Sequence, residues 1–387
     1  MQQTRKMIPP ISPYGTFTGE LFQYTSPFPS LVAFESSPSS HLSSITTSNI
    51  TTTTPTFVQN NNNNNDDQYN GYKKKLNTKK CILIGGLSDG LIPTPYSKQL
   101  ECACHENGWS LIQLVLSSSY LGFGNGSLER DTQEINKLMT YLHHHRGGEE
   151  FALVGHSTGC QNSVHFLKHG DNEYIRRTKL VVLQAPVSDR EGAMLESSYN
   201  SNIKHARSLV DNQKGDEMMP RKAFWSPITA QRFLSLQDCN GKDDFFSSDL
   251  SDDQLVDRLG HVGKIYDNDD DNYNHDDNGD TLGEDLTNKK QHLALRVLVA
   301  FSGKDEYVPD HVDKDLLLKR LCGAMIQKGL RNNDHDHDNN NSTNNIYQNG
   351  KVLVKRLMLD KGNHNLSKGQ GELEKFVNSI SSFLRDI

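Results

Sequence analysis

Residues 151–159 read Phe-Ala-Leu-Val-Gly-His-Ser-Thr-Gly. The apolar run 151–154 predicts a strand, and the stretch 160–169 that follows predicts a helix. Between them, Gly155-His156-Ser157-Thr158-Gly159 is a complete G-x-S-x-G. A serine hydroxyl is a poor nucleophile unless it is lifted clear of the backbone and handed to a base. A sharp strand-to-helix turn lifts it, and small residues two positions either side let the chain turn that tightly. A bare G-x-S-x-G recurs by chance in long chains, so the weight rests on its setting between strand and helix. Ser157 is the candidate nucleophile.

Outward from this stretch the chain alternates between the two kinds of element. Strands are predicted at 19–24, 31–34, 80–85, 110–116, 180–184, 295–301 and 352–359, with helices at 94–108 and 127–145, the second capped by Ser127. Strands separated by helices imply an α/β architecture with a mostly parallel sheet covered on both faces. Chemistry in such sheets collects at the carboxyl ends of the strands. From Asp189 to Gly263 the strand signal stops. Residues 191–209 and 228–236 are helix-like, and Ser251-Asp252-Asp253-Gln254 forms a capping box ahead of 255–259. A helical insertion at about 189–263 is expected to sit over the strand ends as a cap. Residues 1–17 are taken as a tail, and 18–387 as one domain.

Three polar tracts interrupt this pattern at about 36–77, 264–290 and 332–349. Their Ser, Thr, Asn and Asp content cannot bury enough apolar area to offset chain ordering, so disordered insertions into surface loops are expected. His335 and His337 belong to such a segment and are read as solvated rather than metal-binding. The tracts also explain the composition. Only 34% of the 387 residues are hydrophobic, yet the deficit is local and a sizeable core remains. The net charge of -7 is local too. Residues 264–290 hold nine acids against three lysines, and the rest is near neutral, so no basic stripe points to nucleic acid.

The six cysteines fit neither a zinc spacing nor a compact disulfide framework, and they read as reduced, buried thiols of a cytoplasmic protein. No stretch approaches the roughly 20 apolar residues of a membrane span. The N-terminus lacks the apolar region of a secretory signal, while the acid-poor, Ser- and Thr-rich first 60 residues leave an organellar transit peptide open.

A serine nucleophile needs a histidine base and a carboxylate to orient it, in the chain order Ser, acid, His. Two further strand ends supply them. The strand at 295–301 runs into Ser302-Gly303-Lys304-Asp305, and that at 352–359 into Asp360-Lys361-Gly362-Asn363-His364. Asp305 and His364 are the candidates, with Glu306 and Asp189 as competing acids. Asp189 also has the plainer readings of a salt bridge with Arg190 or a helix cap. The oxyanion hole needs two backbone donors. Thr158, just after the nucleophile, offers one, and the loop Gly85-Gly86-Leu87-Ser88-Asp89-Gly90 offers the other, from Leu87 or Gly86. His156, Asp189 and Trp225 are candidate pocket residues, Trp225 having core packing as its alternative. Gly122-Phe123-Gly124-Asn125-Gly126 lacks the full dinucleotide spacing and is read as a turn shaping the pocket rim.

Several strings are more specific than G-x-S-x-G: Gly155-His156-Ser157-Thr158-Gly159-Cys160-Gln161, Ala185-Pro186-Val187-Ser188-Asp189-Arg190-Glu191 and Ser302-Gly303-Lys304-Asp305-Glu306-Tyr307-Val308-Pro309. With Leu31-Val32-Ala33-Phe34-Glu35, Ile84-Gly85-Gly86-Leu87-Ser88-Asp89-Gly90 and 118–124, they resemble an α/β-hydrolase family of fungi and plants that includes the fungal siderophore (fusarinine-type) esterases. The resemblance runs from about residue 18 to the C-terminus outside the polar tracts, which depart from the family pattern. It implies an α/β-hydrolase fold and serine-hydrolase chemistry on the residues already named. The expected reaction is hydrolysis of a small-molecule carboxylic ester through an acyl-enzyme, needing no metal or organic cofactor. Two other readings stay open: an acyltransferase using the same triad, and a catalytically silent scaffold that binds a ligand or protein. Oligomeric state is not legible.

Overall fold

The computed structural model describes residues 14–38, 77–266, 294–327 and 345–387. Most of the three polar tracts, with His335 and His337, lies outside the described residues, as do residues 1–13.

Four strands carry nearly continuous apolar runs: β3 (Lys79–Ile84), β5 (Glu150–His156), β6 (Thr178–Gln184) and β7 (Leu295–Ser302). Strands buried on both faces read this way, and these form the parallel centre of a sheet. Outside them lie β4 (Trp109–Leu114) and β9 (Val352–Leu359), also parallel to their inner neighbours. The antiparallel strands β1 (Gly19–Gln23), β2 (Val32–Ser36) and β8 (Ile346–Asn349) finish the edges. The nine strands run in the order β1-β2-β4-β3-β5-β6-β7-β9-β8. The chain goes from β3 to one side for β4, then returns to the other side for β5. The sheet therefore switches direction at β3, where carboxyl-end crevices form.

Alternate residues feed two cores. Ile82, Ile84, Val181, Leu183, Val297 and Val299 pack on one face with α2 (Leu128–Arg146), α3 (Thr158–His169) and α9 (Lys314–Met325). Cys81, Leu83, Leu180, Val182 and Leu298 pack on the other with α1 (Ser97–Glu106) and α10 (Glu372–Arg385). The period of two along each strand is what divides them. Helix α2 opens as its sequence indicates, with the Ser127 hydroxyl accepting from the Arg130 amide at 3.2 Å. It closes on Gly147, at φ 64°.

Helix α4 (Asn172–Arg177) leads directly into β6. Between β6 and β7 come α5 (Asp189–Ala193), α6 (Tyr199–Asp211), α7 (Ala230–Gln237) and α8 (Asp252–Leu259). The helix expected at 191–209 is thus broken into two. Ile203, Ala206, Ile228, Phe233 and Leu236 build a small core of their own. The Ser251 capping box forms, but Leu255 and Leu259 behind it join the main core. Arg232 of α7 is held within the segment by Asp243, at 2.7 Å, and fastens it to the body through the Phe123 carbonyl, at 3.2 Å.

Four boundaries require correction, the first at 264–266, assigned to the second polar tract, where Tyr266 is buried in the main core. Ser36 ends β2, and its hydroxyl accepts from the Leu111 amide at 3.0 Å. Residues 346–349, assigned to the last polar tract, form β8, where Tyr347 packs against the core and backbone pairing with β9 outweighs the polar composition. Within the expected tail, Phe17 packs edge-on against Phe34 at 6.5 Å.

At the amino end of β3, Lys80 is fully buried and pairs with Glu35 at 2.5 Å, while Arg146 binds the second oxygen of the same carboxylate. Burial lowers the Lys80 pKa, and Glu35 opposes that shift. Glu35→Ala strands the ammonium, and urea unfolding is expected to show a loss of about 3–5 kcal/mol. A loss below about 1 kcal/mol would contradict the assignment.

Candidate active site

At the end of β5 the backbone makes the turn that its glycines permit. Ser157 sits at φ 53° and ψ -123°, a conformation that non-glycine residues rarely adopt. A Cβ on Gly155 would lie 2.4 Å from the Gly159 carbonyl oxygen, and one on Gly159 would lie 2.3 Å from that of Ile84. No side chain fits at either position. The Ser157 amide donates to the Gln184 carbonyl at 3.0 Å, which ties the turn to the neighbouring strand.

The loop after β3 comes up beside this turn, close enough that a Cβ on Gly86 would approach Ser157 Cβ to 3.0 Å. The Gly86 amide donates to Asp89 Oδ2 at 2.7 Å. Burial raises the Asp89 pKa against that bond. Of the three candidate donors Gly86 is engaged in this way, whereas the Leu87 and Thr158 amides make no such bond to a described residue. The Thr158 amide also lies at the positive end of α3.

The acid and the histidine arrive from β7 and β9. Their loops touch closely, since a Cβ on Gly303 would lie 2.4 Å from the Asp360 carbonyl oxygen. His364 Nδ1 faces both carboxylate oxygens of Asp305, at 3.0 and 2.9 Å, and both side chains are buried. Asp305 also accepts from the Tyr307 amide at 3.0 Å, and Lys314 Nζ holds the Gly303 and Asp305 carbonyls.

The two competing acids are occupied elsewhere. Glu306 accepts from the His364 backbone amide at 2.9 Å. Burial works to raise its carboxyl, but the hydrogen bond from that amide helps hold it below the usual range. Asp189 is half-buried in the first turn of α5, with Gln161 Nε2 at 3.4 Å. Loss of solvent, and then the nearby Asp243, push its pKa up to about 7. Ser188 is the residue that caps α5, and Arg190 pairs with Asp244 and Asp249 rather than with Asp189.

Ser157 and His364 line one cavity of about 910 Å³, together with Gly86, Leu87, His156, Asp189 and Trp225. Among the described residues no hydrogen bond joins the Ser157 hydroxyl to the imidazole. Bonds of this kind commonly tighten only in the substrate complex. Trp225 is 58% exposed and lies 5.2 Å from the Phe123 ring, so it is a wall of the cavity and not part of the core. The 122–126 turn supports that wall: Phe123 is buried beneath it, and the Gly124 carbonyl accepts from Thr229.

Two contributors escape a reading by motif. Tyr307 places its ring edge-on to His364 at 4.6 Å. Gln184 connects His156, Tyr96 and the His364 carbonyl. Its signal in the sequence is a single amide at the end of the otherwise apolar Leu180-Val181-Val182-Leu183.

The family described as "Protein of unknown function (DUF1749)" matches residues 50–359. The chain belongs to that family. Its relatives include UPF0613 protein PB24D3.06c of Schizosaccharomyces pombe, 34% identical over 260 residues, which span 62% of this chain and 72% of that protein. Fusarinine C esterase sidJ of Aspergillus fumigatus is 32% identical over 296 residues, 64% of this chain and 77% of that one. Among solved structures, siderophore hydrolase EstB from Aspergillus fumigatus matches with a TM-score of 0.63 at 25% identity, covering 96% of this chain and 98% of EstB. This DUF1749 member is an α/β hydrolase of the esterase type, as its motifs led one to expect. No helix among its described residues is long and apolar enough to cross a membrane.

Asp89→Ala would release the Gly86 amide and loosen the loop that carries Leu87. Steady-state hydrolysis of a simple ester is expected to lose about 10–100-fold in kcat with little change in KM. An unchanged kcat would show that this carboxylate does not set the loop.

Proposed function

We propose that the protein cleaves a carboxylic ester in two steps through an acyl-enzyme on Ser157. His364 removes the hydroxyl proton as Ser157 attacks the ester carbonyl, then returns it to the leaving alcohol. Asp305 holds the imidazole with its proton on Nδ1, so that Nε2 is free to act, and stabilises the imidazolium. The Leu87 and Thr158 amides hold the oxyanion. Water then attacks the acyl-enzyme with His364 again as base, regenerating the hydroxyl. The observation that carries this reading is the Asp305-bound imidazole opening onto the same cavity as the hydroxyl of a strained Ser157.

The substrate in this reading is a medium-sized, partly polar ester of the siderophore type. Fusarinine C esterase sidJ and siderophore hydrolase EstB support that class by kinship. The cavity supports it by its size and by the charged Arg221, Lys222 and Glu196 beside the aromatic Phe224 and Trp225. The segment carrying α5 to α7 serves as its cap. A reducing, cytosolic setting is part of the proposal, supported by the thiols of Cys81, Cys104, Cys160 and Cys322 packed in the cores.

A screen over acyl-chain lengths and a cyclic hydroxamate ester tests this reading. Ser157→Ala should abolish turnover, and Asp305→Asn should lower kcat by roughly 10⁴-fold. Adding an alcohol acceptor should leave free acid as the main product. Full activity in Ser157→Ala would overturn the mechanism, and dominant transfer to the alcohol would make the protein an acyltransferase.

A further inference from the structure

Gln184, at the end of β6, makes three hydrogen bonds that fix its own orientation. One end of its amide lies 2.8 Å from the His364 carbonyl oxygen. A carbonyl only accepts, so that end must be the NH₂ group. Turned the other way, the amide would set two oxygens against each other. The amide oxygen therefore faces His156 Nδ1, at 2.5 Å, and the Tyr96 hydroxyl, at 3.2 Å.

The same logic passes to His156. An amide oxygen only accepts, so His156 Nδ1 must carry a proton. Burial, and then the neighbouring His364, lower the His156 pKa to about 3 against the Gln184 bond, so the ring is neutral. A neutral ring protonated on Nδ1 presents a bare lone pair at Nε2. Among the described residues Nε2 has no hydrogen-bond partner. His156 is 5% exposed, and what it exposes lines the cavity that holds Ser157. Its ring lies 5.0 Å from that of His364. Nε2 is not among the fully buried atoms that lack a partner, so it meets whatever enters the cavity, water or substrate.

We propose that His156 Nε2 accepts a hydrogen bond from the substrate, and so selects esters that carry an N–H or O–H donor close to the scissile carbonyl. This rests on Ser157 being the nucleophile of this cavity. His156 is a specificity-determining residue in this account and takes no proton during turnover. Sites built to pair with a substrate donor discriminate strongly against analogues lacking it.

Two matched pairs of esters, differing only by N–H against CH₂, provide the test. On the acyl side, 4-nitrophenyl N-acetylalaninate is compared with 4-nitrophenyl 2-methyl-4-oxopentanoate. On the alcohol side, 2-acetamidoethyl butyrate is compared with 4-oxopentyl butyrate. The wild type should favour the N–H member of at least one pair by about 10–100-fold in kcat/KM, the cost of one unpaired acceptor. His156→Phe should bring that ratio to about 1. ¹⁵N spectra of the wild type at pH 7 provide a readout that survives a poorly folding variant, and should show His156 protonated on Nδ1. Equal rates within both pairs, a preference that persists in His156→Phe, or a proton on Nε2 would each overturn the inference. Equal rates that vanish in Ser157→Ala would overturn it while sparing the nucleophile. No hydrolysis of any of the four esters, or hydrolysis that survives Ser157→Ala, would remove the nucleophile and this inference together.

Discussion

The close packing of α3 against the ends of β3 and β5 is the constraint on which the rest depends. Gly159 lies where any Cβ would strike the Ile84 carbonyl, and Gly155 where any Cβ would strike Gly159. With both glycines in place the helix can begin immediately after the strand, and Ser157 is left at the apex with a positive φ. Such a conformation costs on the order of 1–3 kcal/mol and persists only where its surroundings over-determine it. Strands β3, β5 and β6, each buried at all but one residue, together with the bond from the Ser157 amide to the Gln184 carbonyl, supply those surroundings. The site is therefore a product of the sheet's topology. The direction switch at β3 puts the Leu87 loop beside the elbow, while β7 and β9 bring the acid and the imidazole from the far side.

How much of this was legible in the sequence follows from how local each signal is. The parallel strands announced themselves because burial on both faces demands apolar runs such as Leu180-Val181-Val182-Leu183. The elbow was legible because the residues that form it lie within five positions, although Gly159 also answers to Ile84 on a distant strand. The pairing of Asp305 with His364 was foreshadowed by the order of strand ends. The edge strand β8 was not, because its residues follow an Asn-rich tract and only pairing with β9 gives them a place. Helices α9 and α10 cover the sheet yet carry no motif that marks them in the chain.

The polar wiring of the site was the least legible part. Nothing near Gln184 in sequence shows that it will bridge His156, 28 positions upstream, and His364, 180 positions downstream. Choosing among Asp305, Glu306 and Asp189 likewise needed geometry, since all three follow strand ends. The structure separates them by what each carboxylate holds: the imidazole for Asp305, a backbone amide for Glu306, and the Gln161 amide for Asp189. Gly86 and Leu87 are adjacent, and the bond from the Gly86 amide to Asp89 is what distinguishes them. In each case a hydrogen bond sets the residues apart, and hydrogen bonds between distant residues leave no periodic trace.

The most direct measurement is a crystal structure of the protein after reaction with a 4-nitrophenyl alkylphosphonate, whose tetrahedral adduct resembles the oxyanion intermediate. The account predicts phosphorus bonded to Ser157 Oγ, with one phosphoryl oxygen about 2.7–3.1 Å from both the Leu87 and Thr158 amides and His364 Nε2 turned toward the ester oxygens. An adduct on another residue, or one at Ser157 whose oxygen faces neither amide, would contradict it.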